Sequence, residues 1–430
     1  MECLPAEILE TIVSYLSPYK EHNIAAMVCH KWNHVASEVA TKLPLRLEED
    51  LRSGIIKWTH VNSDQTTTVT PRVGESVCYC DFTRSLYVFG GKCASNTMTG
   101  FNDLLKLDLH SLTWSRPIAR GVFPPPKFGC CMQAYKRWLV LFGGSSLTPS
   151  NSLGRGSAEY SNDLHIYDTK TGSWKYKTFL QAESPPPLFL PSSCVLIDED
   201  DPEMDLLAVY GGTKMGLIRN EEMWCLNLTS LTWHKQVLNG AMPTKIFPDT
   251  SKGIFRIKSQ AYSMALLIID RNLFGVWVLL RTGFNEWTYQ AVEIAPSLKG
   301  YSPKLNVISG RNFTVVGETL VVLAHTSDSL PDDVPELTSH ISLPQRNSNN
   351  SLLKNTLGLF LLDLKPFETD GMLQWVNQID SSSKLLRNFV RNTSFSELHV
   401  IEGRGEVVLL GYRKLLKSST MTLCTVGLQK

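Results

Sequence analysis

Cysteine and histidine, the residues best suited to metal binding or nucleophilic chemistry, are scattered along this chain without a catalytic spacing. Ten of each occur among 430 residues. No CxxC pair is present, so zinc ribbons, RING fingers and a disulfide framework lack the spacing that they need. The histidines lie mostly in the N-terminal region or are isolated, as His22, His30, His34 and His60 show, and they have no paired spacing inside the later repeats. No GxSxG, HExxH or GxxxxGK[ST] motif occurs. The sequence therefore predicts a non-catalytic protein without a metal or cofactor.

A second group of chemically suited residues consists of cations near three repeated glycine pairs. LYVFGG ends at Gly91, WLVLFGG at Gly144 and LLAVYGG at Gly212. The loops after these pairs, and the loops that lead to the next repeat, contain lysine and arginine. Because arginine pairs well with carboxylate or phosphate, we predict a face that binds an acidic or phosphorylated target segment, with ordinary solvated charge as the alternative. The candidates are Lys92, Arg116, Arg120, Lys127, Arg155, Lys214 and Arg219.

These loops must be positioned by a repeat unit of four short strands. In the first unit, SVCYC, LYVF, NDLLKLDL and TW follow one another with the alternation of apolar residues that strands show. The second unit ends at Trp174 and the third at Trp233. Four-stranded units of roughly 40–50 residues are typical of β-propellers, in which neighbouring blades bury each other's faces.

The glycine pairs are predicted to have a structural role in these blades. A strand between two blades must be apolar on both faces, and it leaves the blade beside its neighbour. Glycine permits a positive φ and a close backbone approach at such a point. We expect this role of Gly90, Gly91, Gly143, Gly144, Gly211 and Gly212.

The glycine pair, the Asn-Asp-Leu run and the spaced tryptophan resemble the Kelch repeat. Less regular units end at Trp287, at Trp375 and near the C-terminus. The last unit has three strands, and GIIKWTHV, residues 54–61, offers a fourth that would close the ring.

The predicted fold is therefore mainly β, a six-bladed Kelch β-propeller preceded by a small all-α module. The predicted helical module spans residues 1–45 and the propeller residues 76–430. A linker that includes the closing strand spans residues 46–75, and a polar insert near residues 325–355 is expected to be disordered.

The first forty residues show an amphipathic helical pattern that leaves apolar surface for a partner. Ile8, Ile12 and Leu16 share one helix face, and Ser17-Pro18 ends that helix. Two or three short helices cannot bury much apolar area alone, so the remaining surface would be covered by another protein.

The pattern LPxEIL…I…YL…AxxVCxxW resembles the F-box, by which substrate receptors bind the Skp-family adaptor of SCF-type ubiquitin ligases. The resemblance implies a single-F-box Kelch receptor that binds the adaptor, cullin scaffold and RING subunit through the F-box and an unknown target on the propeller. The alternative for each F-box residue is a structural role in a helical core. Adaptor contact is implied for Leu4, Pro5, Ile8, Leu9, Ile12, Leu16, Val28 and Trp32.

Composition narrows the functional classes further. A net charge of +1 argues against wholesale binding to nucleic acid or membranes. No secretory signal is evident in MECLPAEILE, and the cysteine pattern favours the cytoplasm or nucleus. Besides the ligase receptor, a Kelch scaffold bound to a Skp-family adaptor outside any ligase remains open. A Kelch metal oxidase is disfavoured because its chemistry needs convergent ligands.

Overall fold

Three helices begin the chain, and strands dominate the rest. The computed structural model describes residues 4–54, 56–61, 69–70, 72–93, 100–147, 158–180, 183–198, 201–240, 253–257, 264–269, 276–296, 305–307, 313–326, 356–376, 398–414 and 419–428. Of the sequence predictions, Arg155 and all but the first two residues of the insert at 325–355 lie outside these ranges.

The helices are α1 (Ala6–Ser14), α2 (Glu21–Ala26) and α3 (His30–Ser53). Helix α3 crosses the domain boundary predicted at residue 45. It continues because Leu43, Leu47 and Leu51 repeat every four residues and are all buried. It ends at Gly54, which takes the left-handed conformation common at helix C-termini.

The first two sheets are each built from one stretch of chain. The first consists of β3 (Ser76–Cys80), β4 (Ser85–Phe89), β6 (Leu104–Asp108) and β7 (Thr113–Ser115), while β2 (Arg72–Val73) pairs with β5 (Lys92–Cys93). The second consists of β9 (Cys131–Tyr135), β10 (Trp138–Phe142), β13 (Leu164–Asp168) and β14 (Ser173–Lys177), with β8 (Arg120–Gly121) parallel to β14, and β11 (Ser145–Leu147) pairs with β12 (Ala158–Tyr160).

The next three sheets have the same plan. The third consists of β15 (Ser192–Leu196), β16 (Leu206–Tyr210), β19 (Met223–Asn227) and β20 (Trp233–Lys235), while β17 (Thr213–Lys214) pairs with β18 (Ile218–Arg219). The fourth consists of β22 (Gly253–Ile257), β23 (Ala265–Ile269), β24 (Val276–Gly283) and β25 (Glu286–Ala291), with β21 (Val237–Asn239) parallel to β25. The fifth consists of β28 (Phe313–Val316), β29 (Thr319–Thr326), β30 (Thr356–Asp363) and β31 (Met372–Trp375). Two further strands join it: β27 (Leu305–Val307) pairs with β29, and β26 (Glu293–Ala295) runs parallel to β31. The short helix α4 (Pro366–Asp370) precedes β31.

A sixth sheet joins the two ends of the chain. It consists of β32 (Leu398–Glu402), β33 (Glu406–Lys414), β34 (Ser419–Leu428) and the N-terminal strand β1 (Ile56–Val61), which pairs antiparallel with β34.

Contacts between sheets give the chain its propeller architecture. The first strands of successive sheets touch, β3 with β9, β9 with β15, β15 with β22, β22 with β28, β28 with β32, and β32 with β3. The five sheets made from continuous chain are blades of a β-propeller, so the mainly β class with a small helical N-terminal region is confirmed.

Aromatic side chains fill the spaces between blades. Trp174 of the second blade meets Phe89 of the first with ring centroids 5.7 Å apart. In the same way Trp233 of the third blade lies 5.0 Å from Phe142 of the second. Each repeated tryptophan is therefore a wedge between two sheets, which is why the repeat keeps this large apolar residue.

Candidate binding faces

Strand direction gives the propeller two distinct faces. The hairpin face carries the turns between the first and second strands of each sheet, such as residues 81–84, 317–318 and 403–405. Because the strands are antiparallel, the loops after the second strand and the loops between sheets emerge on the opposite side, which we call the loop face.

The helices lie on the hairpin face. Glu48 of α3 accepts hydrogen bonds from the Thr319 hydroxyl at 2.8 Å and from the Glu318 backbone N–H at 3.2 Å. Leu43 of the same helix packs against Gly405. The candidate adaptor residues and the described loops that follow the glycine pairs are therefore on opposite sides of the disc.

Helices α1 and α2 each expose a stripe of apolar side chains. On α1 the exposed fractions of Ile8 and Ile12 are 48% and 38%, and Tyr15 continues this stripe. Near the end of α2, Met27 is 85% and Val28 is 52% exposed. We call the exposed apolar set the N-terminal apolar face, which comprises Pro5, Ile8, Ile12, Tyr15, Ile24, Met27 and Val28.

The remaining predicted adaptor residues belong to the helical core. Leu9 is fully buried among Val35, Ala36 and Val39 of α3. Its neighbour Ile8 is exposed because successive residues on a helix point about 100° apart. Half-buried residues packed on the same core include Leu4, Leu16 and Trp32.

Sequence analysis did not assign Tyr15 or Met27 to a partner surface. The signal was available, because Tyr15 follows Ile12 by three residues and Met27 follows Ile24 by three, which places each pair on one helix face. Tyr15 is the Y of YL in the F-box pattern but was not among the residues assigned to adaptor contact, and Met27 is at an unspecified position of that pattern.

Among the candidate target-binding cations, Lys127 is an interior residue. Its side chain is 1% exposed, and its Nζ donates to Ser161 Oγ at 2.8 Å and to Asp163 Oδ2 at 3.0 Å. Burial alone would raise the pKa of Asp163, but Lys127 and Ser161 hold this pKa below its ordinary value. In this position Lys127 ties the entry of the second blade to its third strand.

Arg72, which sequence analysis passed over, has the same role in the first blade. Its fully buried guanidinium donates to both carboxylate oxygens of Asp103, at 2.7 and 3.2 Å. The signal was a cation directly after proline in PRVG and again in PKFG, at equivalent places in two repeats.

Apart from Arg120, the other described candidates lie on the loop face with varying exposure. Arg120 is opposite Ser173, the first residue of β14, and its N–H donates to the carbonyl oxygen of Gly172 in the β13–β14 turn, so it lies at the hairpin-face end of the second blade. Arg116 is 56% exposed, with its Nε 3.8 Å from Asp103 Oδ2, and Arg120 is exposed on β8. Lys214 lies 3.6 Å from Glu222 and Arg219 lies 3.6 Å from Glu221. The Nζ of Lys92 lies 4.8 Å from the centre of the Phe128 ring.

An apolar hairpin tip on the same face was also missed by sequence analysis. Met215 and Leu217 lie in the turn between β17 and β18, and Ile218 begins β18; the three are 54%, 71% and 62% exposed. They lie between Lys214 and Arg219, so apolar and basic side chains are combined at one protrusion. Three large apolar residues within four consecutive positions, 215–218, are the pattern that would have identified it.

The glycine pairs line the contacts between successive blades. All six glycines have positive φ, from 67° to 90°. A Cβ on Gly90 would meet the Lys127 carbonyl oxygen at 2.4 Å, and one on Gly144 would meet Cys130 Sγ at 2.3 Å. The N–H groups of Gly91 and Gly144 donate to the carbonyls of Lys127 and Leu188, both at 2.8 Å.

Neither a metal centre nor a membrane span is found in the part of the chain that the structure describes. Across those ranges no three His, Cys, Asp or Glu side chains are grouped so that they could hold a metal ion. None of the helices in those ranges has the length and apolarity required to span a bilayer.

Comparison with known proteins identifies two domains. An F-box-like domain matches residues 1–40, and a KLHDC2/KLHL20/DRC7 Kelch-repeats domain matches residues 53–256. The first match covers α1, α2 and part of α3, and the second covers the first three blades.

Curated relatives resemble the propeller part. Human host cell factor 1 is 28% identical over 268 residues, which are 60% of this chain and 11% of that protein. Host cell factor of Drosophila melanogaster is 29% identical over 208 residues, 45% of this chain and 12% of that protein. Acyl-CoA-binding domain-containing protein 5 of Arabidopsis thaliana is 33% identical over 117 residues, 27% of this chain and 16% of that protein.

This chain thus corresponds to a small part of its curated relatives, 11% of host cell factor 1. The solved structure of YjhT aligns with 83% of this chain and 95% of its own, with a TM-score of 0.48 and 14% identity.

Proposed function

An F-box-like domain followed by a Kelch-repeat domain makes this chain an F-box/Kelch protein, and we propose that it is the substrate-recognition subunit of an SCF-type cullin-RING ubiquitin ligase. The F-box binds a Skp-family adaptor, and through it the cullin scaffold and RING subunit. The propeller binds a target protein for ubiquitination and proteasomal degradation. The observation that carries the proposal is the N-terminal apolar face, which is exposed on helices matched to an F-box.

The propeller of this receptor is a closed ring of six blades. Support comes from the sixth sheet, in which β1 pairs with β34, and from the contact of β32 with β3. Closure in this way leaves no open sheet edge between the first and last blades.

The target binds on the loop face, through an acidic or phosphorylated segment. Arg116 is exposed there, and Lys214 and Arg219 flank the apolar hairpin tip. A segment with carboxylate or phosphate groups beside apolar side chains would satisfy both features.

The protein has no catalytic residues of its own in this role. It holds a target near the ubiquitin-charged enzyme, and this raises the effective concentration of the target lysines. Its place of action is the cytoplasm or nucleus, where the ligase machinery operates and free cysteines persist.

The proposed adaptor contact is tested by replacing Ile8 and Ile12 together with aspartate and purifying the tagged chain from cells. We expect recovery of the Skp-family adaptor and the cullin to fall by about tenfold or more, because charge is placed in an apolar contact. The control is Ile118→Asp with Ile197→Asp, which changes two exposed isoleucines on the propeller and should leave recovery unchanged.

Two results would contradict the ligase role. Equal adaptor recovery with Ile8→Asp/Ile12→Asp would remove the assigned contact. Recovery of the adaptor without cullin by the unchanged protein would instead support the alternative, a Kelch scaffold bound to the adaptor outside any ligase.

The target face is tested separately with an array of acidic and phosphorylated peptides. Arg116→Glu with Lys214→Glu should abolish binding of peptides that the unchanged protein captures. The control, Lys20→Glu with Lys170→Glu, reverses two exposed charges away from the loop face. If both variants bind the array equally well, these cations do not form the target site.

A further inference from the structure

The only pairing between the two ends of the described propeller chain is that of β1 with β34, residues 56–61 with residues 423–428. The neighbouring contact, between β32 of the sixth sheet and β3 of the first blade, involves separate sheets without shared strand hydrogen bonds. We call these two contacts together, the pairing of β1 with β34 and the contact of β32 with β3, the seam. Because the chain ends are held here by non-covalent contacts, the seam is the natural place for the ring to open.

Tyr19, in the connection between α1 and α2, is inserted into the seam. It is 7% exposed and packs in one cluster with Val77 and Leu86 of the first blade and Val408 and Leu410 of the sixth sheet. The residue therefore contributes to a core that belongs to both sides of the junction.

Polar contacts hold Tyr19 in this position. Its hydroxyl donates to Glu406 of β33, and its ring meets Tyr79 of β3 edge to face, 6.5 Å between centroids. Burial, together with the adjacent Glu406 carboxylate, raises the pKa of Tyr19 well above its ordinary value, so the phenol stays a donor. One side chain thus bonds to the sixth sheet and packs on the first blade.

A side chain of the first blade hydrogen-bonds to the backbone around Tyr19. Arg84, in the turn between β3 and β4, donates to the carbonyl oxygens of Pro18 and Tyr19 and, at 2.7 Å, to Asn23 Oδ1 at α2. Close by, Arg404 of the sixth sheet donates to both carboxylate oxygens of Asp81 in the first blade. Two arginines from opposite sides of the seam therefore meet at this point.

Helix α3 extends the contact to the other side of the sixth sheet. It touches β28 of the fifth blade and β34 of the sixth sheet. Arg52 bonds Asp363 at the end of β30, and Leu43 covers Gly405 in the turn between β32 and β33. The helices consequently contact three successive sheets, with the seam between the second and the third.

We propose that α1, α2 and α3 act as a clasp that holds the first and last sheets of the propeller together, so that the helical region and the ring form one cooperative unit. This role is independent of any adaptor or target. It follows from contacts that a freely jointed N-terminal module would not make.

The experiment compares Tyr19→Ala with Tyr15→Ala in the full chain by amide hydrogen exchange. Tyr15 is the matched control, because it lies four residues earlier and is 67% exposed. We expect Tyr19→Ala to speed exchange in β1, β3 and β34 by about tenfold or more, since loss of the clasp allows the seam to open. Tyr15→Ala should leave exchange in these strands unchanged.

If Tyr19→Ala does not yield folded protein, Tyr19→Phe keeps the packed ring and removes only the bond to Glu406, and faster exchange in the same strands is again expected. Faster exchange confined to α1 and α2, with β1, β3 and β34 unaffected, would overturn the proposal. That result would make the helices an appendage that the ring does not need.

Discussion

The guanidinium of Arg52 and the carboxylate of Asp363 are joined by two hydrogen bonds, of 2.8 and 2.7 Å, although the residues are 311 positions apart. This pair connects α3, the third of the N-terminal helices, to the end of β30 in the fifth blade. Burial alone would raise the pKa of Asp363, but Arg52 holds this pKa below its ordinary value.

Arg52→Ala should therefore destabilise the protein by about 2 kcal/mol, because it leaves a partly buried carboxylate without its charged partner. Urea unfolding at neutral pH measures the change. Since the folded-state pKa of Asp363 is lowered, the contribution is present above the ordinary aspartate value and is lost as pH falls through the folded value. Lys42→Ala, which removes an exposed pair with Glu10, should change little.

Glu402 is predicted to make the folded protein less stable as pH rises. Burial, with the nearby Glu48 carboxylate, raises the pKa of Glu402 to about 7. Its neutral form is compatible with the fold, so stability is full below the ordinary glutamate pKa and declines as pH rises through about 7.

Glu402→Gln should abolish this decline. Urea midpoints at about pH 5.5 and about pH 8.5 should differ less in the variant than in the unchanged protein, with the variant the more stable of the two at the higher pH. Identical pH profiles for the two proteins would show that Glu402 is not the titrating group.

Substitutions of Lys127 and of Arg116 are predicted to have different effects on stability. Lys127→Met should cost roughly 2 kcal/mol, because Asp163 then loses a buried partner. Arg116→Met should change stability by less than about 0.5 kcal/mol, since the side chain is largely solvated. Thermal unfolding of both variants decides the matter, and an equal loss in the two would refute a structural role specific to Lys127.

Alanine substitutions at Gly144 and Gly54 allow the steric cost of an added Cβ to be separated from the conformational cost of a left-handed backbone. Both have positive φ, but a Cβ on Gly144 would meet Cys130 Sγ at 2.3 Å, whereas Gly54 has no atom within 4 Å of that position. Gly54→Ala should cost about 1 kcal/mol for the left-handed backbone alone. Gly144→Ala should cost roughly 3 kcal/mol, because a clash is added, and denaturant unfolding would show the difference.

Alanine substitutions at Leu9 and Ile8 should separate an effect on folding from an effect on partner binding. Leu9→Ala creates a cavity in the helical core and should destabilise the protein by about 3 kcal/mol. Ile8→Ala should leave stability within about 0.5 kcal/mol while it weakens adaptor recovery. Unfolding curves are compared with pull-downs for both variants, and a stability loss as large for Ile8→Ala would contradict its placement at the surface.

Much of the blade structure could be predicted from the sequence because strands and turns depend on local residue patterns. Alternating apolar residues indicate strands whether or not their partners are known, and the glycine pair and the tryptophan recur at fixed places within a unit. The irregular fourth and fifth units kept the same alternation without the double glycine, which explains why they could still be recognised. The apolar stripe of Ile8 and Ile12 was readable for the same reason.

The sequence by itself thus determined the repeat, its strands and an N-terminal helical segment with more apolar residues than its own core can bury. The tertiary structure decided how two cations of the same connection between β7 and β9 differ, since it places Lys127 against Ser161 and Asp163 and leaves Arg116 largely exposed. It also decided that Tyr19 enters the seam. These outcomes depend on contacts between residues hundreds of positions apart, such as Tyr19 with Glu406, and local patterning carries no information about such contacts.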